Sequence, residues 1–133
     1  MPDELHFWDL IALGSRDPEE LRRRITDMSE AELVDFYWTY HEHAANLKDE
    51  EFTRHLDPPV TEDFVDDVAQ WVVAQGEDYY DDIMMTPSNM PPDLPEGAKP
   101  SPWPGFTFGV YQDRYGEPLR LREDPPPGAS PRS

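Results

Sequence analysis

At 133 residues the chain has room for one compact domain, but not for two of ordinary size. It holds 29 Asp and Glu against 11 Lys and Arg, which gives a formal net charge of −18. A charge of that size and sign opposes contact with phosphate backbones and anionic lipid, so we expect neither direct nucleic-acid binding nor membrane binding. Because there is no cysteine, disulfides, thiolate metal sites and cysteine nucleophiles are excluded.

The sequence carries no signal for export or membrane insertion. No apolar run approaches the ~20 residues that span a bilayer. The opening residues Met1-Pro2-Asp3-Glu4 are acidic, whereas a signal peptide begins with basic residues. We therefore expect a cytoplasmic protein. The ratio of Arg to Lys is nine to two, which is typical of a GC-rich bacterial genome.

Helix start signals recur along the first part of the chain. A first helix can begin at Pro2 or Asp3 and end near Gly14. Asp17 directly before Pro18 then marks a second start, because aspartate is a good N-cap and proline suits the first helical position.

Ser29 and Glu32 form a capping-box pattern that opens the clearest helix, in which apolar residues repeat at spacings of three and four. This helix either continues or restarts over residues 52–56. Pro58-Pro59 ends it, because neither proline can donate a backbone hydrogen bond.

The stretch from His55 to Ala98 contains eleven Asp and Glu and no Lys or Arg. Thr61 can cap a helix here, and Gly76 either ends that helix or lies inside a longer one. On both sides of Gly76 the acids fall on one helical face and bulky apolar residues on the other. The inward residues are expected to be Phe64, Val65, Val68, Trp71, Val72, Tyr79, Tyr80, Ile83 and Met84. The predicted acidic face consists of Glu62, Asp63, Asp66, Asp67, Glu77, Asp78, Asp81 and Asp82.

The remainder of the chain is predicted to be non-helical. Residues 87–104 contain seven of the 16 prolines and are expected to form an extended connector. Phe106, Phe108 and Val110 alternate with small residues, which predicts a β-hairpin over residues 105–123 docked on the helices. Trp103 in the connector is expected to plug a groove on those helices rather than to contact a partner. Residues 124–133 are expected to be disordered.

The predicted fold is thus mainly α: a single small helical domain of four to five helices over residues 1–86, then the connector, the hairpin and the tail. Two segments carry a resemblance to a known family: Phe7-Trp8-Asp9-Leu10-Ile11, and Thr61-Glu62-Asp63 through to Trp71-Val72-Val73-Ala74-Gln75-Gly76. Together they resemble the bacterial domain-of-unknown-function family numbered four-two-four-zero, over roughly residues 6 to 94. The resemblance implies an all-α fold and no particular activity.

The acidic face has a simple explanation and a functional one. It can be the solvated side of a very acidic protein, or it can be a docking surface for a basic protein partner. A divalent-cation site is not favoured, because no acidic loop has the glycine and the ligand spacing of a calcium loop. The function that we expect is non-enzymatic protein interaction, for example as an immunity- or antitoxin-like protein that binds a basic effector. A nucleic-acid mimic that inhibits a DNA-binding protein is one alternative.

The second alternative is a small enzyme that uses a carboxylate as acid or base. It requires a buried Asp or Glu in a cleft, and Asp9 or an acid of residues 61–67 is the candidate. His41 and His43 are two residues apart, not the four that bring two histidines to one zinc ion on a helix. We expect one of them at the edge of the core and the other in solvent. No metal site and no cofactor is predicted.

Overall fold

The structure is a computed structural model and describes residues 6–99 and 101–125. These residues form seven α-helices and one short 3-10 helix, and no strand occurs among them. The mainly α fold is confirmed, whereas the expected count of four to five helices is wrong. The predicted helix start at Pro2 or Asp3 and the predicted disorder of residues 126–133 lie outside the described residues. In chain order the elements are α1 (Phe7–Arg16), α2 (Pro18–Thr26), α3 (Glu30–Asn46), α4 (Glu50–Thr53), α5 (Glu62–Ala74), α6 (Glu77–Met85), the 3-10 helix (Pro87–Asn89) and α7 (Trp103–Tyr115).

Three helix starts follow the capping chemistry of the sequence. The Asp17 carboxylate accepts the backbone N–H of Glu20 ahead of α2. Ser29 and Glu32 make both hydrogen bonds of a capping box ahead of α3. The Thr61 hydroxyl accepts the backbone N–H of the third residue of α5. Each cap pairs a backbone donor that the first helical turn would otherwise leave free.

The structure has more helices than expected, because the chain turns at two places where the apolar repeat also allowed one longer helix. The long helix does not continue into residues 52–56 but restarts as α4 after a turn. Gly76 separates α5 from α6, with φ at 115°. Side-chain-bearing residues rarely adopt this backbone conformation, so a glycine at this position permits a sharp change of direction.

Helix α3 is the centre of the packing, in contact with α1, α5 and α7. Two tyrosines fasten it to the acidic helices. The Tyr40 hydroxyl of α3 donates to the Gln70 carbonyl of α5 over 2.8 Å. The Tyr80 hydroxyl of α6 donates to the His43 carbonyl of α3 over 2.9 Å. The orientation of α5 and α6 on α3 is therefore fixed by hydrogen bonds as well as by apolar contact.

The inward faces of α5 and α6 differ in part from the predicted ones. Phe64 and Trp71 lie half-buried at the edges of α5, and Tyr79 and Met84 of α6 are exposed. Smaller residues allow α5 to approach α3 closely, while the aromatic rings occupy the margins. The buried residues of the two helices are Val65, Val68, Ala69, Val72, Val73, Tyr80 and Ile83.

Helix α7 replaces the predicted β-hairpin, which is therefore wrong. Trp103, Thr107 and Tyr111 are buried at a spacing of four, and their face packs on α2 and α3. The alternation that suggested a strand comes from half-buried residues on the flanks of this helix. Gly116 ends the helix in the left-handed conformation, with φ at 75°. Residues 117–125, called here the C-terminal segment, contain no helix or strand.

Trp103 packs into the helices, as predicted. Its side chain is buried, and its indole lies beside Gly14 of α1, where an added Cβ would come within 3.0 Å of the ring. The same Cβ would lie 2.5 Å from the side chain of Leu21 of α2. A glycine at this position therefore makes room for the indole between α1 and α2. Among the described helices, none combines the length and apolar character that a bilayer crossing requires.

Candidate functional site

The eight acids predicted to share a face all lie on the outer side of α5 and α6. Asp66 and Asp67 are half-buried. The other six are exposed, and together the eight are called the acidic surface: Glu62, Asp63, Asp66, Asp67, Glu77, Asp78, Asp81 and Asp82. The two helices contact each other, and Trp71 of α5 packs edge-to-face on Tyr79 of α6 with ring centroids 5.7 Å apart. This contact holds the two halves of the acidic surface together.

Few groups of the chain itself neutralise the acidic surface. Asp66 forms an ion pair with Lys48, and the Asp82 carboxylate accepts a 2.8 Å hydrogen bond from the Asn89 side chain. Within residues 6–99 and 101–125, the other six carboxylates have no ion-pair partner. Lys48 therefore offsets one of the eight negative charges, and the acidic surface keeps a strong negative excess.

Five arginines pair with acids on other elements. On α2, three consecutive arginines pair with Glu19 and Glu20 of the same helix. Arg120 and Arg122 of the C-terminal segment pair with acids of α3. Positive charge is thus concentrated at α2 and α3, whereas Lys48 is the only cation within the described residues that forms an ion pair with the acidic surface.

Apolar side chains are exposed beside the acids of α6. Met85 is 84% exposed, and Tyr79 and Met84 are each 37% exposed. The sequence pattern assigned Tyr79 and Met84 to the core and did not single out Met85. The position of Met85 could have been noticed, since on a helical wheel it lies between Asp78 and Asp81.

An open groove of about 490 Å³ lies between α1 and the junction of α5 and α6. Asp9 and Arg16 of α1 line one side of it, and Glu77 and Asp78 line the other, beside Trp8. Asp9, the main candidate of the enzyme alternative, is exposed. The acids of residues 61–67 are exposed or half-buried as well, so none of these candidates is the buried carboxylate that the enzyme alternative requires.

The most enclosed carboxylate with a specific partner is Glu30 of α3, which no sequence pattern identified. Arg120 donates to it from two nitrogens, over 2.6 and 2.9 Å, and the Tyr111 hydroxyl donates over 2.6 Å. The hydrogen bonds from Arg120, and then that from Tyr111, hold the pKa of Glu30 below its usual value although partial burial opposes this. A lowered pKa favours the ionised form, which suits an ion pair and not a general acid at neutral pH.

Both histidines of α3 lie at edges of the core, so the expectation that one faces solvent is wrong. His41 packs against Tyr37 of the same helix, and His43 packs against Trp8 and Tyr80. Burial lowers the pKa of each, because it disfavours the charged imidazolium. Across the described part of the chain, no three His, Asp or Glu side chains are arranged to hold a metal ion.

Comparison with known proteins gives a family and no activity. No curated protein and no solved structure matches the chain. A family model described as "Protein of unknown function (DUF4240)" matches residues 2–108, which is most of the chain and includes α1 to α6. The match spans both segments that carry the resemblance seen in the sequence. The chain therefore belongs to this family of proteins of unknown function.

Proposed function

We propose that the protein is a non-enzymatic interaction domain that binds a basic protein through the acidic surface of α5 and α6. The observation that carries the proposal is the state of the carboxylates: among the described residues, six of the eight have neither an ion-pair partner nor a side-chain hydrogen-bond partner. By contrast, five arginines of α2 and the C-terminal segment are paired with acids of α2 and α3. Charge left unpaired in this way attracts an oppositely charged partner and raises the rate of encounter.

The exposed apolar residues of α6 support the same proposal. Charge at the rim of an interface mainly sets specificity and association rate, whereas affinity comes mostly from a few well-buried apolar contacts. Met85 can provide such a contact from among the acids of α6, and Tyr79 and Met84 can add to it from the two edges of that face. Methionine suits this role because its flexible, polarisable side chain adapts to the shape of a partner. The partner that fits best has a basic surface with an apolar centre.

The biological setting is part of the proposal. An immunity- or antitoxin-like role, in which the domain neutralises a basic effector, is a concrete form of it. A cytoplasmic location agrees with the absence of cysteine, and a bacterial origin agrees with the excess of Arg over Lys. We do not propose an enzyme, because Asp9 is exposed and the enclosed Glu30 is already paired with Arg120.

The test compares two variants with equal net charge in a pull-down from a lysate of the native cells. The surface variant neutralises the six unpaired acids, as Glu62→Gln, Asp63→Asn, Asp67→Asn, Glu77→Gln, Asp78→Asn and Asp81→Asn. The control variant neutralises six exposed acids elsewhere, as Glu50→Gln, Glu51→Gln, Asp93→Asn, Glu96→Gln, Asp113→Asn and Glu117→Gln. Circular dichroism first establishes that both variants fold.

We expect wild type and the control variant to recover the same basic protein, and the surface variant to lose it. Equal recovery by the two variants would refute the proposal. If the recovered protein binds DNA, addition of duplex DNA distinguishes the nucleic-acid mimic, because DNA then competes with the domain for the same basic surface.

A further inference from the structure

The C-terminal segment occupies a site on α3 in the manner of a bound peptide. The Arg120 guanidinium makes two hydrogen bonds to the Glu30 carboxylate, and in the resulting ion pair each side chain is only 16% exposed. The indole N–H of Trp38 donates to the Arg120 carbonyl over 2.8 Å. The site therefore binds both the side chain and the backbone of one residue, as proteins do when they recognise an extended segment.

A second arginine, two residues further on, contacts the next turns of the same helix. Arg122 donates to the Thr39 hydroxyl over 2.8 Å and forms ion pairs with Asp35 and Glu42. These acids are 76% and 63% exposed, so this contact lies at the rim, where a pair contributes only about 0–1 kcal/mol. The site thus has one enclosed subsite for an arginine and one exposed subsite for another arginine.

The segment is arranged around its own first arginine. The Nη1 atom of Arg120 donates to the carbonyls of Leu121, Arg122 and Asp124, over 3.2, 3.0 and 2.8 Å. Leu119 is the only buried residue of the C-terminal segment. With one buried apolar side chain and no helix or strand, the segment is held mainly by the contacts of Arg120 and Arg122 with α3, so loss of those contacts should release it.

The site and its occupant come from different parts of the chain. Helix α3 lies within residues 2–108, the part that the family model matches, whereas the C-terminal segment lies beyond it. Gly116 separates the segment from α7, so the segment can leave without any change to the helix.

We propose that α3 carries a recognition site for an extended Arg-x-Arg segment, and that the C-terminal segment is its tethered occupant. The external ligand is a partner protein that presents two arginines at this spacing in an extended stretch. A covalently attached occupant competes at an effective concentration in the millimolar range, so such a partner binds only when the segment is displaced. The segment therefore autoinhibits the site. This proposal does not depend on the acidic surface, which lies on α5 and α6.

The test measures binding of a labelled synthetic peptide of residues 117–125 to the full-length chain by fluorescence anisotropy. The peptide carries three side-chain carboxylates and two arginines, so the negatively charged protein does not attract it non-specifically. The hosts are wild type, Arg122→Ala, the double variant Arg120→Ala/Arg122→Ala, and that double variant with Glu30→Gln. Circular dichroism and thermal melting establish which of these are folded.

We expect the double variant to bind the peptide at least tenfold more tightly than wild type, because its own segment no longer competes. The Arg122→Ala chain should fall between the two, and it keeps the Arg120–Glu30 pair, so it provides the test if the double variant is unstable. Glu30→Gln should abolish the gain, and a peptide with both arginines changed to alanine should bind no host.

The proposal is overturned if neither segment variant binds the peptide more tightly than wild type does, or if Glu30→Gln or the alanine peptide leaves the gain unchanged. The six-residue surface variant described above is a further control. It should bind the peptide as wild type does, because its substitutions lie outside the α3 site. The experiment can therefore refute the α3 site without refuting the acidic surface, and the pull-down can do the reverse.

Discussion

At the scale of the residue, Gly14 shows how one missing side chain determines the packing of a distant aromatic ring. Its hydrogen atom faces the indole of Trp103 and the fully buried side chain of Leu21. A Cβ there would need both neighbours to move, and a rigid indole in a packed core has little freedom to do so.

Gly14→Ala should therefore lower the free energy of unfolding. Overpacking typically costs about 1–3 kcal/mol, and alanine regains about 1 kcal/mol of helix propensity, so we expect a small net loss. Gly109→Ala in α7 is the matched control, since no atom lies within 4 Å of its added Cβ. It should gain up to about 1 kcal/mol. Urea denaturation of the two variants checks this, and a stabilised Gly14→Ala would show that the contact with Trp103 is loose.

Glu30 and Glu42 allow an enclosed and an exposed ion pair on one helix to be compared. Glu30→Gln should cost about 1–3 kcal/mol, because it weakens charge-assisted hydrogen bonds that are shielded from water. Glu42→Gln should cost less than about 1 kcal/mol, because its pair with Arg122 is exposed. Chemical denaturation at neutral pH measures the free energy of unfolding of both variants. Equal losses would contradict the claim that the enclosed pair stabilises the fold more than the exposed pair.

The ion pair of Glu30 with Arg120 should also make the free energy of unfolding depend on pH. The pKa of Glu30 is lower in the folded chain than its ordinary value of 4.5, so the folded state favours the ionised form. Its contribution is therefore fully present above the unfolded-state pKa and is lost as pH falls through the folded-state pKa. The stability difference between wild type and Glu30→Gln should shrink on acidification below about pH 4.5. A difference that stays constant in acid would mean that the ionisation of Glu30 is not what stabilises the fold.

At the scale of the element, local signals predict where helices begin better than they predict the secondary structure of the last element, α7. The caps at Asp17, Ser29 and Thr61 are confirmed, because capping depends on residues three apart in the chain. Helix α7 was mistaken for a strand, because Gly105 and Gly109 weaken its helix propensity and aromatic residues favour strands. Its contacts with α2 and α3 decide the outcome, and a spacing of four from Trp103 to Tyr111 was the available signal.

Gly76 determines the angle between the two helices of the acidic surface. Gly76 has φ at 115° and ψ at 172°, a backbone region almost confined to glycine, so Gly76→Ala should cost roughly 1–3 kcal/mol although the space around its Cβ is empty. Gly105→Ala also meets no atom but has an ordinary helical backbone, so it should not destabilise the fold. The melting temperatures of the two variants therefore distinguish backbone strain from a steric clash of the added methyl group. If both alanines have the same effect, strain at Gly76 is not the reason.

At the scale of the whole molecule, the sequence was sufficient to place the acidic surface but not the charges that oppose it. All eight predicted acids are exposed or half-buried on α5 and α6, because helical periodicity decides which residues face outward. The pairing of Arg120 with Glu30 joins residues 90 positions apart, and no local pattern encodes such a contact. Because the arginines of α2 and of the C-terminal segment pair with acids of α2 and α3, positive charge is concentrated there and negative charge predominates on α5 and α6.

The central claim is that unpaired carboxylates on α5 and α6 bind a basic partner. The most direct measurement is the dissociation constant of the captured partner for wild type, the surface variant and the control variant, by isothermal titration calorimetry at low and high salt. We predict equal affinity for wild type and the control variant, weaker at high salt, and at least tenfold weaker binding by the surface variant. Equal weakening in both variants would contradict the claim, because net charge rather than its position would then explain the binding.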